Sequence, residues 1–504
     1  MKISIQELMD RSGVAFGTSG ARGLATAMTD LVCYAYARGF LQYLESVGEI
    51  KHAGERVAVG GDFRPSTDRI MEAACRAAED LGYRPVNCGK VPSPALALFG
   101  LENKIPSLMV TGSHIPDDRN GIKFNRCAGE ILKADERGIS SQGVDLDDSR
   151  FTANGRFASP GAAPHPVSPE AGENYVMRYL NFFAHDALHG LRVGVYQHSA
   201  VGRDVLAKIL SQLGAQVTPL GRSDRFIPVD TEAIRPEDAR LAADWARTGN
   251  FDALVSADGD SDRPLVGDEK GAWLRGDIAG ILCARFLGAD SVSTPVSCNT
   301  AVEKCRWFRE IRRTRIGSPF VVAAMTEAAA AGAKRVVGYE ANGGFLLGSD
   351  IATGGKTLRA LPTRDAVIVI LGILLLAKQQ RKKISELAAS LPPRFTASDR
   401  LKDFPAEKSR AILDGFGSGA EAADKAALEK MFGGICGPVA SVNRTDGLRV
   451  VFTNGEIIHL RPSGNAPEFR CYAEAKTDER AREITARALA RINAWSAPVS
   501  SAST

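Results

Sequence analysis

The sequence lacks the features that mark membrane, secreted and disulfide-stabilised proteins. Its longest apolar run, residues 366–377, is shorter than the roughly 20 residues needed to span a bilayer, so we predict a buried helix there. The nine cysteines are scattered without a CxxC pair, which argues against a zinc ribbon or a disulfide framework. The first residues show no secretion signal. These absences predict a soluble cytoplasmic protein with no membrane partner.

The chain also lacks a strong charge of either sign and the common nucleotide-binding motifs. It carries 63 basic and 59 acidic residues, which argues against a nucleic-acid partner. The glycine-rich segment 16–25 does not fit the P-loop pattern, and no predicted strand is followed by GxGxxG. With 504 residues, 44% of them hydrophobic and 24% charged, the chain has the composition of a globular protein of several domains.

Three segments share an order of strand, helix and strand. In each of them a glycine follows a helix, at Gly82, Gly214 and Gly332, and we interpret these glycines as equivalent helix ends. Such repeats are typical of α/β domains with mostly parallel sheets. The three segments are 56–86, 191–220 and 291–338.

The pattern changes after residue 391, where two prolines interrupt it. Residues 441–475 alternate in the manner of β-strands, and a helix is predicted over 477–495, which together indicate a smaller α+β domain. The stretch 153–168 is rich in glycine, proline, alanine and serine, as linkers are. We therefore predict three related α/β domains with mixed, mostly parallel sheets and a C-terminal α+β domain around a central cleft. The predicted domains are 1–160, 166–272, 273–388 and 395–495.

The first candidate motif follows a predicted strand that ends at Val110. Ser113 lies at that strand end, where α/β sheets bind ligands, and His114 and Lys123 follow it. A serine is a weak nucleophile unless a base or a charge partner lies within reach. An ordinary polar turn is the alternative interpretation.

The second motif places Asp258, Asp260 and Asp262 directly after an apolar strand. Three carboxylates so close together repel each other unless a cation joins them, and oxygen ligands suit Mg²⁺. An EF-hand loop is disfavoured because Arg263 stands where glycine is required and a strand precedes the motif. An aspartate-dependent phosphatase and a solvated acidic turn are the remaining alternatives, although a phosphatase has no use for the third aspartate.

Two further loops carry polar groups. Glu340 and Asn342 lie in a glycine-rich loop, and a carboxylate with an amide suits sugar hydroxyls, with a plain turn as the alternative interpretation. Near the C-terminus, one turn offers guanidinium, hydroxyl and backbone N–H donors, the set that a phosphate monoester needs, and an ordinary turn is the alternative. The residues of this turn are Arg461, Ser463, Gly464 and Asn465, with Arg470 as a further contact. The glycine-rich segment 16–25 also carries one cationic residue, Arg22.

The four motifs, in this order, resemble the α-D-phosphohexomutase superfamily, the phosphomannomutase/phosphoglucomutase group. The resemblance implies four domains, a phosphorylated Ser113, and Mg²⁺ held by the three aspartates together with the phosphoserine. It further implies that His114, Lys123, Arg22 and Arg263 surround the transfer site. Glu340 and Asn342 then bind sugar hydroxyls, and the turn at 461–465 binds the phosphate that does not react.

The sequence departs from the usual family pattern in two loops. Gly112 and Ile115 replace the alanine and asparagine of TASHNP, and Asn342 and Gly344 replace the serine and histidine of Glu-x-Ser-Gly-His. These changes bear on sugar choice more than on reaction type, and the version found here resembles a bacterial phosphomannomutase subgroup.

The resemblance implies an intramolecular phosphotransferase of the isomerase class that interconverts hexose 6-phosphates and hexose 1-phosphates. Mannose phosphates are the favoured substrates, and a hexose 1,6-bisphosphate is the intermediate and activator. We expect Lys123 to handle the proton of the attacking hydroxyl if neighbouring cations lower its pKa. Phosphoglucomutase, phosphoglucosamine mutase, an aspartate-dependent phosphatase and a non-catalytic sugar-phosphate sensor are the alternatives. The sequence does not distinguish between a monomer and a dimer as the oligomeric state.

Overall fold

A computed structural model of the protein describes residues 2–17, 20–51, 54–159, 165–417, 419–463 and 468–495. Its first part is an α/β unit. Strands and helices follow in the order β1 (Lys2–Ser4), α1 (Ile5–Ser12), β2 (Ala15–Phe16), β3 (Ala21–Leu24), α2 (Asp30–Ser46), β4 (Arg56–Gly61), α3 (Thr67–Asp80), β5 (Arg84–Lys90), α4 (Ser93–Asn103), β6 (Ser107–Val110), β7 (Arg119–Arg126), β8 (Gly129–Glu130), α5 (Lys133–Ser140) and β9 (Gly143–Asp145).

Two further α/β units follow along the chain. The second unit contains α6 (Glu170–Phe182), β10 (Arg192–His198), α7 (Arg203–Gln212), β11 (Gln216–Arg222), α8 (Pro236–Gly249), β12 (Ala253–Ala257) and β13 (Pro264–Gly267). The third contains α9 (Gly276–Phe286), β14 (Ser291–Pro295), α10 (Ala301–Lys304), β15 (Glu310–Thr314), α11 (Ser318–Ala330), β16 (Val336–Tyr339), β17 (Phe345–Leu347), β18 (Ile351–Thr353), β19 (Lys356–Leu358), α12 (Ala366–Gln380) and α13 (Ile384–Ala389).

The C-terminal unit is a five-stranded antiparallel sheet with helices, as the alternation over 441–475 predicts. The strand order is β20-β24-β23-β22-β21. Its elements are β20 (Phe395–Leu401), α14 (Ala406–Asp414), α15 (Glu421–Cys436), β21 (Val439–Asn443), β22 (Leu448–Phe452), β23 (Ile457–Pro462), β24 (Phe469–Ala475) and α16 (Asp478–Ala494).

The first three sheets share one topology. Their cores have the orders β5-β4-β6-β7, β11-β10-β12-β13 and β15-β14-β16-β17, with three parallel strands and one antiparallel strand each, and β3 and β2 extend the first sheet. The predicted fold class is therefore confirmed. The domain boundaries stay a prediction.

One predicted equivalence within the repeats is wrong. Gly82 and Gly214 follow the helix that leads from the first to the second parallel strand of their sheets, whereas Gly332 follows α11, which leads from the second strand to the third. In the third unit, the helix that corresponds to α3 and α7 is α10, which has four residues. So short a helix has no visible 3.6-residue periodicity, and the longer α11 was matched in its place.

The buried helix predicted from the apolar run is α12. Residues 366–377 are all buried, and α12 packs against α9 and against strands of the second and third sheets. Burial on all sides accounts for an apolar sequence without a polar face. In the part of the chain that the structure describes, no helix is both long and apolar enough to cross a membrane.

Candidate active site

Ser113 lies in the loop that follows β6, at the carboxyl end of the parallel strands. Its side chain is buried, and its backbone has a φ of 58°, a left-handed conformation that is uncommon for a serine. The backbone N–H of Ser113 donates to Thr111 Oγ1 at 2.8 Å, and its hydroxyl donates to Asp258 Oδ2 at 2.6 Å. The serine motif and the acidic motif therefore meet at one point, although 145 residues separate them in sequence.

A buried ion pair beneath this loop holds the serine in place. Arg64 Nη1 lies 2.5 Å from Asp62 Oδ2, and Arg64 Nη2 donates to the carbonyl of Ser113 at 3.0 Å. The ring of Phe226, from the second unit, covers the guanidinium at 4.0 Å. A methyl carbon on Gly112 would lie 2.8 Å from Arg64 Cζ, so the guanidinium occupies the space that an alanine at this position needs.

Sequence reasoning missed Asp62 and Arg64, although a signal was present. Both residues directly follow β4, which lies next to β6 and parallel to it in the first sheet. Carboxyl ends of adjacent parallel strands meet at the same edge of a sheet, so charged residues after β4 are expected near the serine loop.

The three aspartates follow β12 in a tight loop and are all buried. One carboxylate oxygen of each lies within 4.8 Å of the others. Lys123 Nζ lies 2.7 Å from Asp260 Oδ2 and 2.6 Å from Asp262 Oδ2, and the hydroxyl of Ser93 donates to Asp260 Oδ2 at 2.8 Å. Lys123 and Ser93 belong to the first unit, so the loop is bound across the boundary between the two units.

The ionisation of this cluster follows from burial and mutual repulsion. Burial, together with the neighbouring charges of Asp260 and Asp262, raises the pKa of Asp258 well above its usual range. Burial alone would also raise the pKa of Asp260, but the ammonium group of Lys123 lowers it strongly. Burial would lower the pKa of Lys123, yet the two carboxylates outweigh it and raise that pKa. The condition under which Lys123 was expected to handle the proton, a pKa lowered by neighbouring cations, is therefore not met, because its nearest neighbours are carboxylates.

The aspartate loop fits a divalent cation. In the described part of the chain, Asp260 Oδ1 and Asp262 Oδ1 are buried and have no hydrogen-bond partner. Buried carboxylate oxygens without a donor are costly to hold, and a hard cation with oxygen ligands satisfies them. Asp258, Asp260 and Asp262 are thus the residues that could hold Mg²⁺.

His114, Arg263 and Arg22 line the same region. Arg263 Nη1 donates to His114 Nδ1 at 2.7 Å, and burial together with this cation lowers the pKa of His114 to about 3. The imidazole is therefore neutral near pH 7, with its remaining proton on Nε2. Burial and the charge of Arg263 also lower the pKa of Arg22 to about 10. The guanidinium cations of Arg263 and Arg22 lie close together, and a bound anion stabilises such an arrangement.

Glu340 and Asn342 lie in the turn between β16 and β17. Glu340 is buried and accepts a hydrogen bond from Arg364 Nε at 2.6 Å. The side-chain oxygen of Asn342 accepts from the backbone N–H of Gly344 at 2.9 Å, so this amide oxygen stabilises its own turn and leaves the NH₂ group for a ligand. The hydroxyl of Thr231, from the second unit, donates to the carbonyl of Asn342 at 2.6 Å.

The predicted phosphate turn joins β23 and β24. Arg461 and Arg470 are directly opposite each other in these antiparallel strands, so both side chains lie on one face of the sheet. Arg461 Nε lies 3.6 Å from Asp446 Oδ1, and the backbone N–H of Ser463 donates to the carbonyl of Glu468 at 2.8 Å. Gly464 and Asn465 lie outside the described residues.

Arg470 also lies near the second unit. Burial raises the pKa of Glu232, and the charges of Arg275 and Arg470 act against that rise. An arginine of the C-terminal sheet is therefore within electrostatic reach of a loop of the second unit. This proximity places the strand after the predicted phosphate turn near the second unit, which carries the aspartate loop.

All four units of the chain match domain models of one family. These models are the phosphoglucomutase/phosphomannomutase alpha/beta/alpha domains I, II and III and the C-terminal domain, matched at residues 13–146, 173–271, 275–395 and 417–491. A phosphomannomutase of Sinorhizobium fredii is 45% identical over 484 residues, which cover 95% of this chain and 99% of that protein. The chain belongs to the phosphoglucomutase/phosphomannomutase family. This result confirms the resemblance to the phosphomannomutase/phosphoglucomutase group and the predicted class of enzyme, an intramolecular phosphotransferase.

A second relative and two solved structures are also similar to this chain. A phosphomannomutase of Salmonella muenchen is 42% identical over 96% of this chain and 97% of its own length. A phosphoglucomutase/phosphomannomutase family protein from Burkholderia thailandensis has the same fold, with a TM-score of 0.70 at 20% identity over 97% of this chain and 98% of that one. An N-acetylphosphoglucosamine mutase from Aspergillus fumigatus, solved with GlcNAc-6P and magnesium, is more distant, with a TM-score of 0.55 at 12% identity over 97% of this chain and 99% of that one.

Proposed function

We propose that this phosphohexomutase interconverts mannose 6-phosphate and mannose 1-phosphate through a phosphorylated Ser113 and a hexose 1,6-bisphosphate. The observation that carries the proposal is the position of the Ser113 hydroxyl, 2.6 Å from Asp258 in a buried cluster of carboxylates and cations. The choice of mannose rests on the relatives that are 45% and 42% identical, which are both phosphomannomutases.

In the proposed transfer, the bond between phosphorus and Ser113 Oγ breaks, and a bond forms between phosphorus and the free hydroxyl oxygen of the hexose phosphate. The proton of that hydroxyl ends on Ser113 Oγ, so charge and atoms balance. The second half of the reaction is the reverse step at the other end of the bisphosphate. Such transfers depend on in-line positioning and on neutralising charge more than on covalent help from the protein.

The residues around Ser113 serve this positioning. Arg22, Arg263 and Lys123 offset the negative charge of the transferring group. His114, with Nδ1 3.4 Å from Ser113 Oγ, lines the same site. Asp258, Asp260 and Asp262 would hold the divalent cation, which we propose to be Mg²⁺, together with the phosphate of Ser113. When bound, this ion supplies positive charge to the transferring oxygens.

The remaining predicted residues bind the parts of the substrate that do not react. Glu340 and Asn342 offer a carboxylate and an amide to the sugar hydroxyls. Arg461, Ser463, Gly464, Asn465 and Arg470 are proposed to bind the distal phosphate. The paired arginines support this role, because two opposed guanidinium groups on one sheet face favour binding of an anion. The cytoplasmic location and the oligomeric state stay predictions.

The proposal is tested by initial rates with mannose, glucose and glucosamine 1-phosphates, each with Mg²⁺ and a trace of the matching 1,6-bisphosphate. We expect the highest kcat/KM with mannose 1-phosphate and no net release of inorganic phosphate. A higher kcat/KM with glucose or glucosamine 1-phosphate would assign the chain to one of the other mutases. Steady phosphate release without dependence on the bisphosphate would indicate a phosphatase.

A further inference from the structure

A buried arginine connects the sugar loop to the aspartate loop. The side chain of Arg364 is 2% exposed, and its Nε donates to Glu340 Oε2 at 2.6 Å. Its Nη1 lies 3.9 Å from Asp262 Oδ2, which is within ion-pair distance but beyond hydrogen-bond distance. Arg364 therefore lies between a residue proposed to bind the hexose and a residue proposed to bind the metal.

The backbone that carries Arg364 is anchored on both sides. The hydroxyl of Thr363 donates to Glu130 Oε1 of the first unit at 2.6 Å. Asp365 caps the N-terminus of helix α12 and accepts hydrogen bonds from the hydroxyls of Tyr175, at 2.6 Å, and of Tyr179. A guanidinium mounted between two such anchors has little freedom to reorient, and so it can hold its partner carboxylate in a fixed place.

The sugar loop leaves space for this arginine. A methyl carbon on Gly344 would lie 2.5 Å from Arg364 Cδ and 2.9 Å from Nε. The φ of Gly344 lies outside the left-handed region, so its backbone conformation does not require glycine. The space that Arg364 fills is therefore the reason for a glycine at position 344. A small residue at position 344 is therefore needed for Arg364 to reach Glu340.

Among the described residues, only one oxygen of the Glu340 carboxylate accepts a hydrogen bond. Oε2 accepts from Arg364, while Oε1 has no hydrogen bond to any residue that the structure describes. A carboxylate fixed in this way offers its second oxygen to a donor at a defined position. A hexose hydroxyl is the donor that the proposed reaction would bring to this loop.

We propose that Arg364 is a positioning residue, which fixes the carboxylate of Glu340 for recognition of hexose hydroxyls and requires glycine at position 344. The proposal rests on the proposed hexose phosphate mutase activity. Arg364 acts through Glu340, so its removal and the removal of the Glu340 charge affect the same step of substrate binding.

A double-mutant cycle on the full-length enzyme tests this coupling. Arg364→Met, Glu340→Gln and the double variant are compared in kcat and KM for whichever of mannose, glucose and glucosamine 1-phosphate the wild type turns over fastest. We expect each single variant to lower kcat/KM by about 10- to 100-fold, mainly through KM, and the double variant to lose no more than the worse single variant. Arg247→Met is the matched control, since Arg247 is exposed and pairs only with Asp244 in the described part of the chain.

A second pair of variants tests the steric part. We expect Gly344→Ala to lower kcat/KM in the wild type and to have no further effect in the Arg364→Ala background, where the clashing atoms are absent. At saturating bisphosphate, the final extent of Ser113 phosphorylation is expected to be unchanged in Arg364→Met. Additive losses in the double-mutant cycle, wild-type kinetics of Arg364→Met, or loss of Ser113 phosphorylation in that variant at saturating bisphosphate would each overturn the proposal. Failure of the mannose assignment alone would appear only as a different preferred sugar.

Discussion

Replacing Arg461 by methionine separates substrate binding from stability in the C-terminal domain. Arg461 and Arg470 are directly opposed on β23 and β24, and like charges in such a pair destabilise a sheet by up to about 1 kcal/mol. Asp446, with Oδ1 3.6 Å from Arg461 Nε, and Glu468, with Oε2 3.1 Å from Arg470 Nη2, compensate this repulsion only in part. The arrangement is therefore expected to favour binding of a phosphate over stability of the free protein.

The magnitude follows from the loss of one charged hydrogen-bonded contact. Arg461→Met keeps most of the aliphatic stem and removes the guanidinium, so about 1.5–3 kcal/mol of phosphate binding is lost. This loss corresponds to a KM for mannose 1-phosphate that is about 10- to 150-fold higher. Because Ser113 lies in another domain, the extent of its phosphorylation at saturating bisphosphate is expected to be unchanged. The melting temperature without substrate is expected not to fall, because the repulsion with Arg470 is relieved.

The assay is steady-state kinetics combined with thermal unfolding in the absence and presence of mannose 1-phosphate. Arg482→Met is the control, because Arg482 is 72% exposed on α16 and pairs with Asp478 at the surface. The control is expected to match the wild type, since exposed ion pairs contribute little. An unchanged KM in Arg461→Met would refute the phosphate-binding role, and a lower melting temperature with an unchanged KM would show that Arg461 is only structural.

Three further predictions concern the serine loop, a buried histidine and the metal. Gly112→Ala is expected to displace the Arg64 guanidinium and to destabilise the first domain by about 1–3 kcal/mol, while slowing phosphorylation of the serine; wild-type melting and kinetics would contradict this. Burial lowers the pKa of His459 from its ordinary value of 6.5 to about 4, so between these values only the unfolded chain takes up the proton. Stability is therefore expected to decrease as the pH falls from about 6.5 to about 4, and His459→Gln should make the melting temperature less dependent on pH; an unchanged slope would contradict this. Chelation of divalent cations is expected to abolish mutase activity and added Mg²⁺ to restore it, whereas activity that survives exhaustive chelation would rule out a metal requirement.

Local signals carried most of the sequence predictions. Alternating residues over 441–475 predicted the C-terminal sheet, and the apolar run predicted α12, because these patterns depend on short-range periodicity. The motifs at Ser113 and Asp258 each follow a strand, and strand ends are where α/β sheets place their sites. The contact between them is long-range, and only the joint occurrence of the motifs pointed to it.

The features that sequence reasoning missed depend on contacts between distant segments. Arg364 stands at the start of an apolar helix and carries no motif of its own, so its ion pair with Glu340 was not predictable from spacing. The condition of a lowered pKa for Lys123 could not be judged from the sequence, because its carboxylate partners, Asp260 and Asp262, lie 137 and 139 residues away along the chain. In the third repeat, the sequence comparison matched α11 to α3 and α7. The corresponding helix is α10, which is too short to show periodicity.

The most direct test of the central claim is to follow one phosphoryl group on Ser113. The wild-type enzyme is incubated with mannose 1,6-bisphosphate, analysed by intact mass and peptide mapping, and then mixed with mannose 6-phosphate. We expect one phosphoryl group on Ser113, its transfer to the added sugar as the bisphosphate, and neither label nor turnover in Ser113→Ala with a normally folded protein. Phosphorylation at another residue, or mutase activity that persists in Ser113→Ala, would contradict the account.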